Sequence, residues 1–266
     1  MEANVMRRSW IVTIGLLVCL SAGAAVTPRG YNNAGDLRAA VKQARDGDLQ
    51  ADWNKLMDAR DRIAALVGDQ QLAALAHYYL GYTYWRLSSL AFVAVGPQAQ
   101  AQLAERAVAE LEIAIQKRPQ FPDAHALLAT CLVATVNFNM SRMESVAPRI
   151  RGAWQNALPA GANNPRVMLL RAIATTFAPP EFGGNREKGI EQWKQAIQAF
   201  ETERPETLMP DWGQAEALAW LGGAYLMIGQ PSEAIAPLER AIALRADFWW
   251  AAKAALPIAR RPIDAK

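Results

Sequence analysis

The chain has 266 residues, of which 52% are hydrophobic and 20% charged, and its formal net charge is +3. That balance excludes an intrinsically disordered chain, and so small a charge excludes electrostatic capture of nucleic acid or of an anionic membrane as the basis of function. Ala and Leu are abundant and β-branched residues sparse, which favours helix over strand.

The first 25 residues predict a secretory signal peptide. Arg7 and Arg8 give a basic start, Trp10 to Leu20 is an apolar run of eleven residues, and the small residues Ser21-Ala22-Gly23-Ala24-Ala25 follow. This order marks an exported chain, and the run is too short to span a bilayer comfortably. Cleavage is expected after Ala24 or Ala25. It leaves a periplasmic or secreted chain with 26 Lys and Arg, 24 Asp and Glu and a net charge of +2, without a stable membrane span. A lipid anchor at Cys19 is the weaker alternative, because Val18 stands where a lipoprotein signal places a small residue. Cys131 is then the single remaining thiol, so no internal disulfide can form. Lying within the apolar stretch from Leu127 to Val136, it reads as a small buried hydrophobe. Residues 26–32 are expected to be a short linker, 33–260 one helical domain and 261–266 a disordered tail.

Two helices are predicted first, from Asp36 to Arg45 with a stop at Asp46-Gly47-Asp48, and from Ala51 to Val67 with Gly68 at its end. In the second, Leu56, Ile63, Leu66 and Val67 give an apolar face at helical spacing. A recurring pattern follows. His77-Tyr78-Tyr79-Leu80-Gly81-Tyr82-Thr83-Tyr84 is succeeded by Ala107, Leu111, Ala114 and Pro119. Asp123-Ala124-His125-Ala126-Leu127-Leu128-Ala129 is succeeded by Trp154 and Ala157. Asn164-Pro165-Arg166-Val167-Met168-Leu169-Leu170-Arg171 is succeeded by Gly189, Trp193 and Ala196. This copy is weaker, since Arg171 stands where Gly or Ala is expected. The last copy runs Leu218-Ala219-Trp220-Leu221-Gly222-Gly223-Ala224-Tyr225, then Gly229-Gln230-Pro231, Ala234, Leu238 and Ala241. Helix, turn and helix follow from this order, with Gly229 ending the first helix and Ser232 capping the second. Gly222, Ala234 and Ala241 are small where the two backbones approach.

This spacing resembles the tetratricopeptide repeat (TPR) family, whose pattern runs Trp-x2-Leu-Gly-x2-Tyr, then Ala, Ala and Pro over roughly 34 residues. Leu218 stands for the leading Trp and Ala246 for the closing Pro. The resemblance implies an all-α fold. It is an α-solenoid of antiparallel helix pairs in a right-handed superhelix, with about four to five pairs and a C-terminal capping helix. Trp249-Trp250-Ala251-Ala252 begins that cap. The anchoring residues Leu80, Leu128, Leu170 and Leu221 are 48, 42 and 51 apart. Most of the excess over the family period lies between the two helices of a unit, at Ala91 to Gln102, Phe138 to Arg149 and Phe177 to Arg186, so these inserts emerge on one edge of the solenoid; in the first unit the alternative is longer helices broken only at Gly96-Pro97. A further insert, Glu203 to Gly213, separates the third unit from the last.

Tyr78, Tyr82, Trp85 and Arg86 share one helix face at i, i+4, i+7 and i+8. By analogy with the family these positions point into the concave groove, where aromatics and an Arg make a partner-binding hot spot. The alternative is packing against the preceding pair. Thr130, Asn137 and Thr175 on neighbouring first helices are weaker groove candidates, for which structural roles weigh more. In Pro179-Pro180-Glu181-Phe182-Gly183-Gly184-Asn185 an apolar residue sits within a stiff turn. Phe182 is a lip of the groove on one reading and a plug of its own helix pair on the other.

No catalytic motif is present. Gly-x-Ser-x-Gly and His-Glu-x-x-His are both missing, and His77 and His125 lack the Cys or acidic cluster that a metal site needs. The reading that results is an exported scaffold without enzymatic activity, metal or cofactor, which binds a protein or peptide through its concave groove. The alternative is an accessory of periplasmic solute handling or envelope assembly. Exported TPR-like proteins that accompany TRAP-type transporters are similar in plan, and such a protein would bind a small apolar ligand or a transporter component. Trp154, Trp193, Trp220, Trp249 and Trp250 are expected in the core.

Overall fold

In the computed structural model, residues 32–136 and 140–261 are described. The expected signal segment, Cys19, Asn137 and residues 262–266 lie outside them. The described helices belong to one compact unit that begins at Asn32. They are α1 (Asn33–Leu49), α2 (Trp53–Ala64), α3 (Ala73–Ala94), α4 (Pro97–Lys117), α5 (Pro122–Thr135), α6 (Met140–Ala160), α7 (Pro165–Phe177), α8 (Arg186–Thr202), α9 (Gln214–Met227) and α10 (Pro231–Leu244). The closing helix α11 runs in π geometry over Trp250–Ala255 and in α geometry over Leu256–Ala259. No strand occurs among the described residues. Five antiparallel pairs and a cap make an all-α helical-repeat solenoid, as the repeat pattern predicts.

Local chemistry sets the helix starts. Pro97, Pro122, Pro165 and Pro231 open their helices, where a missing N–H costs nothing and the fixed φ suits the helix. Asn32, Asp52, Asn164 and Asn185 cap α1, α2, α7 and α8 by accepting from backbone N–H groups of the first turn. Two expected boundaries are corrected. Ser232 is not a cap, because Pro231 already takes the first helical position. Nor does α1 stop at Asp46-Gly47-Asp48. It continues to Leu49 because Gly47 lies against α2, where an added Cβ would come within 3.0 Å of the Leu56 nitrogen. The true stop is Ala51 at φ 54°, with Asp52 N–H returning to the Gly47 carbonyl at 2.7 Å.

Within pairs, small residues let the backbones close. A Cβ on Gly81 would meet Leu111 at 2.7 Å, and one on Gly222 would meet Leu238 at 2.5 Å. These are equivalent positions of the first and last strong repeats. The pair α7–α8, the weaker copy of the pattern, solves the same problem from its other helix. Arg171 is exposed with its guanidinium over Trp154, while Gly189 of α8 sits where a Cβ would come within 2.1 Å of the Thr176 hydroxyl. The first helices α1, α3, α5 and α7 touch in succession as an inner layer, backed by the second helices. That inner layer is packed rather than open. From Ala215 to Ala224 every residue of α9 except Trp220 is buried.

Gly222→Val forces a branched side chain into Leu238, and overpacking of this kind costs about 2–3 kcal/mol. Chemical denaturation should show that loss, while Gly229→Asn, at a solvent-facing left-handed position, should change stability by less than about 1 kcal/mol.

Candidate functional site

The four residues expected to line an open groove are buried, which corrects that expectation. Tyr78 and Tyr82 are 0% exposed, Arg86 6% and Trp85 8%. What covers them comes from the chain itself. Residues 203–213, between α8 and α9, run across the inner face of α3 as a strap, and Trp212 enters the aromatic cluster. Its indole N–H donates to the Tyr78 hydroxyl at 3.0 Å, and its ring lies 5.0 Å from Tyr82 and 5.7 Å from Trp85. The Arg86 guanidinium stands 4.0 Å above Trp85 and 5.2 Å from the Trp212 ring. The hot-spot chemistry is present, but its occupant is a residue of the same chain. Burial pushes the phenols of Tyr78, Tyr79 and Tyr82 upward, so all three stay neutral.

Two buried arginines clamp the ends of the strap. At its start, Arg166 of α7 donates to Asp123 at 2.6 Å and to both carboxylate oxygens of Glu203, one of them at 2.8 Å. Just past its end, Arg86 meets Glu216 of α9 at 3.1 Å and Asp48 of α1 at 3.3 Å. Between the clamps, the Tyr79 hydroxyl donates to the Leu208 carbonyl at 3.1 Å, and Leu208 itself is held at φ 69°. A left-handed leucine stores strain that persists only where its surroundings enforce it. Gly213 closes the strap at φ 117°, with Phe200 where a Cβ would stand.

Two carboxylates share Arg86, and the balance falls on Asp48. Burial raises its pKa to about 6; the Arg86 charge opposes that rise and Glu216 adds to it. Burial works against the charge on Arg86, yet Asp48, Tyr82 and Glu216 outweigh it and keep the guanidinium protonated.

Beside the strap a cleft of about 950 Å³ remains open. One wall is α1, with Arg38, Lys42 and Arg45 at i, i+4 and i+7. The other is the strap, with Glu206 and Asp211, and Val41, Tyr79, Leu208 and Met209 supply apolar surface. Arg45 pairs with Asp211 at 2.8 Å across it, and Arg245 reaches Asp46 at 2.8 Å. These pairs tie the first helix pair to the strap and to the segment before α11.

The remaining candidates divide. The Thr130 hydroxyl donates to the Ala126 carbonyl of its own helix, and Thr175 is buried, its carbonyl accepting from Asn185 N–H. Neither joins the cluster around Trp212. Phe182 is half exposed on a 3₁₀ turn, so it does not plug its helix pair. Trp249 is 52% exposed, against the expected core position, because the neighbouring Trp250 takes the inward place and stacks on Trp220 at 5.3 Å. Burial lifts the Cys131 thiol far out of the nucleophilic range. His77 meets Glu110 at 2.7 Å and His125 meets the Pro119 carbonyl at 2.9 Å. Among the described residues no group of three or more His, Cys, Asp or Glu is placed to hold a metal ion. Sequence reasoning missed Trp212 and Glu216. The available signals were a Trp set between Pro210 and Gly213, and a carboxylate opening an otherwise apolar helix.

Two outcomes follow from the clamps. Trp212→Ala removes a fully buried side chain from the inner face and should cost about 3–5 kcal/mol, whereas the exposed Trp249→Ala should cost under about 1 kcal/mol. Asp48 binds its proton more tightly folded than unfolded. Its stabilising contribution is therefore complete below the ordinary value of 3.8 and is lost as pH rises through about 6. Denaturant titrations at pH 4.5 and 7.5 should show a fall of about 2 kcal/mol that Asp48→Asn abolishes.

No family model matches the chain, and no curated protein matches it significantly. Solved structures do. A thermophilic TPR protein of Thermus thermophilus is similar over 80% of this chain and 92% of its own, at 16% identity and a TM-score of 0.55. The HusA haemophore of Porphyromonas gingivalis is similar over 75% of this chain and 96% of its own, at 22% identity and a TM-score of 0.54. At such identities the likeness carries the fold, and the five helix pairs with their small-residue contacts agree with it: the chain is a TPR-like α-solenoid.

Proposed function

We propose that the protein is an exported scaffold, without enzymatic activity, that binds a protein or peptide partner in the cleft beside the strap. The cleft is the observation that carries this reading. It is open and about 950 Å³ in volume, has charges of both signs on facing walls and apolar side chains between them, and suits a peptide segment of mixed charge. The helical-repeat framework is the usual setting for such a task. The inner face does not serve, since Trp212 already fills it.

A haemophore shares the fold, which brings the alternative of a small apolar ligand. The place for an enclosed apolar pocket would be the inner face, and Tyr78, Tyr82, Trp85 and Trp212 occupy it. Both histidines are also engaged, with Glu110 and with the Pro119 carbonyl. The peptide reading is therefore preferred.

The test is photo-crosslinking in the native host with the probe at Lys42, whose side chain is 76% exposed on the cleft wall. One dominant protein adduct in the exported fraction, lost when Arg38 and Arg45 are both changed to Glu, is the expected result. A folded, purified chain that yields no adduct and carries a co-purified small molecule overturns the proposal.

A further inference from the structure

The charges around the cleft are not all in the same state. Eight Asp, Glu, Lys and Arg side chains line it, four of each sign. Six are paired within the chain. Lys42 meets Asp46 at 2.6 Å, Arg45 meets Asp211 at 2.8 Å, and Arg245 meets Asp46 at 2.8 Å and Asp247 at 2.9 Å. Arg38 and Glu206 remain, and neither side chain has an ion pair or a hydrogen bond among the described residues. The two are of opposite sign, both exposed, and on opposite walls, Arg38 on α1 and Glu206 on the strap.

The surrounding sequence supplies a counterion to neither. The residues one turn from Arg38 on α1 are Ala34, Gly35, Val41 and Lys42, which are neutral or of like charge. Asp36 is two residues away and so stands on another face of the helix. Next to Glu206, the Arg204 guanidinium is engaged elsewhere, donating to the Glu201 and Glu203 carbonyls at 3.4 and 2.7 Å. Between the walls the surface is apolar, with Val41 and Tyr79 buried and Leu208 and Met209 half-buried.

We propose, building on the reading that the cleft takes a peptide, that Arg38 and Glu206 set which peptide it takes. The bound segment carries a side-chain carboxylate for Arg38, a cation for Glu206 and an apolar residue between them. The six paired charges already sum to zero, so a ligand of one sign leaves one wall unmatched. A polyanion or a polycation is therefore disfavoured. An apolar segment would take water from both charges without replacing it. Exposed pairs of this kind are weak one by one, so they choose among segments rather than supply most of the affinity.

An array of immobilised peptides, acetylated and amidated so that no terminal charge remains, tests this with the full chain in solution. Each peptide reads Gly-Ser-X-Leu-Z-Ser-Gly, with X and Z drawn from Glu, Gln and Lys. Wild type is expected to bind the peptides with one Glu and one Lys at least about fivefold better than those with two Gln, two Glu or two Lys. Arg38→Gln should cease to distinguish Glu from Gln while still favouring Lys, and Glu206→Gln should do the reverse. Both positions are exposed and unpaired, so each variant should keep the wild-type circular dichroism. Wild type without a preference for opposite charges, a variant that keeps the full wild-type preference, or a wild type that binds no peptide of the set overturns the proposal. If the Lys42 adduct still forms in those cases, the cleft reading stands and only this assignment of charges fails. A missing adduct overturns the cleft reading and this proposal with it.

Discussion

The guanidinium of Arg86 is the constraint on which the rest of this structure depends. It is buried on an inner helix, and a buried cation is tolerated only when carboxylates meet it. One comes from α1 and one from α9, Asp48 and Glu216, so a single side chain on α3 fixes the first helix pair, the second and the last about one point. The aromatic rings around it follow from the same need. Trp85, Tyr82 and Trp212 present their faces to the charge and exclude water from it. Removing any carboxylate leaves the cation short of a partner, which is why such clusters specify an arrangement more than they add to stability.

The strap is the consequence. Open helix-pair solenoids expose an inner surface to partners, but this chain uses eleven residues, 203–213, to cover its own. The covering is not loose. A second arginine, Arg166, holds the start of the strap as firmly as Arg86 holds its end, and a strained leucine between them is kept in place by a tyrosine hydroxyl. With the inner face covered, the open concavity beside the strap is the cleft against α1.

Much of the fold is legible in the sequence because its determinants are local. Leu80-Gly81 with Ala107 and Leu111, and Leu221-Gly222 with Ala234 and Leu238, each spell a close helix contact within one repeat, and the structure makes both. The errors have the opposite origin. Helical spacing rightly groups Tyr78, Tyr82, Trp85 and Arg86 on one face, but whether that face is open depends on Trp212 and Glu216, and Arg86 and Glu216 are 130 residues apart. No spacing rule reaches so far. The expected stop at Asp46-Gly47-Asp48 is a smaller case, in which a glycine that signals a break in isolation serves as a contact once α2 is beside it.

The cleft and the buried cluster differ in what holds them. The cleft is walled by exchangeable pairs such as Lys42 with Asp46 and Arg45 with Asp211, side chains that are partly in solvent and screened by it. A charged ligand can take over those partners at little cost, so the cleft is suited to selecting among segments by charge. The buried cluster has nothing of this kind to exchange. Arg86 and its two carboxylates are shielded from solvent, and Trp212 is held by its hydrogen bond to Tyr78 and by the rings around it. Ion pairs shielded in this way are screened little by salt, whereas those of the cleft weaken with it, so added salt loosens the cleft walls before it touches the buried arginine.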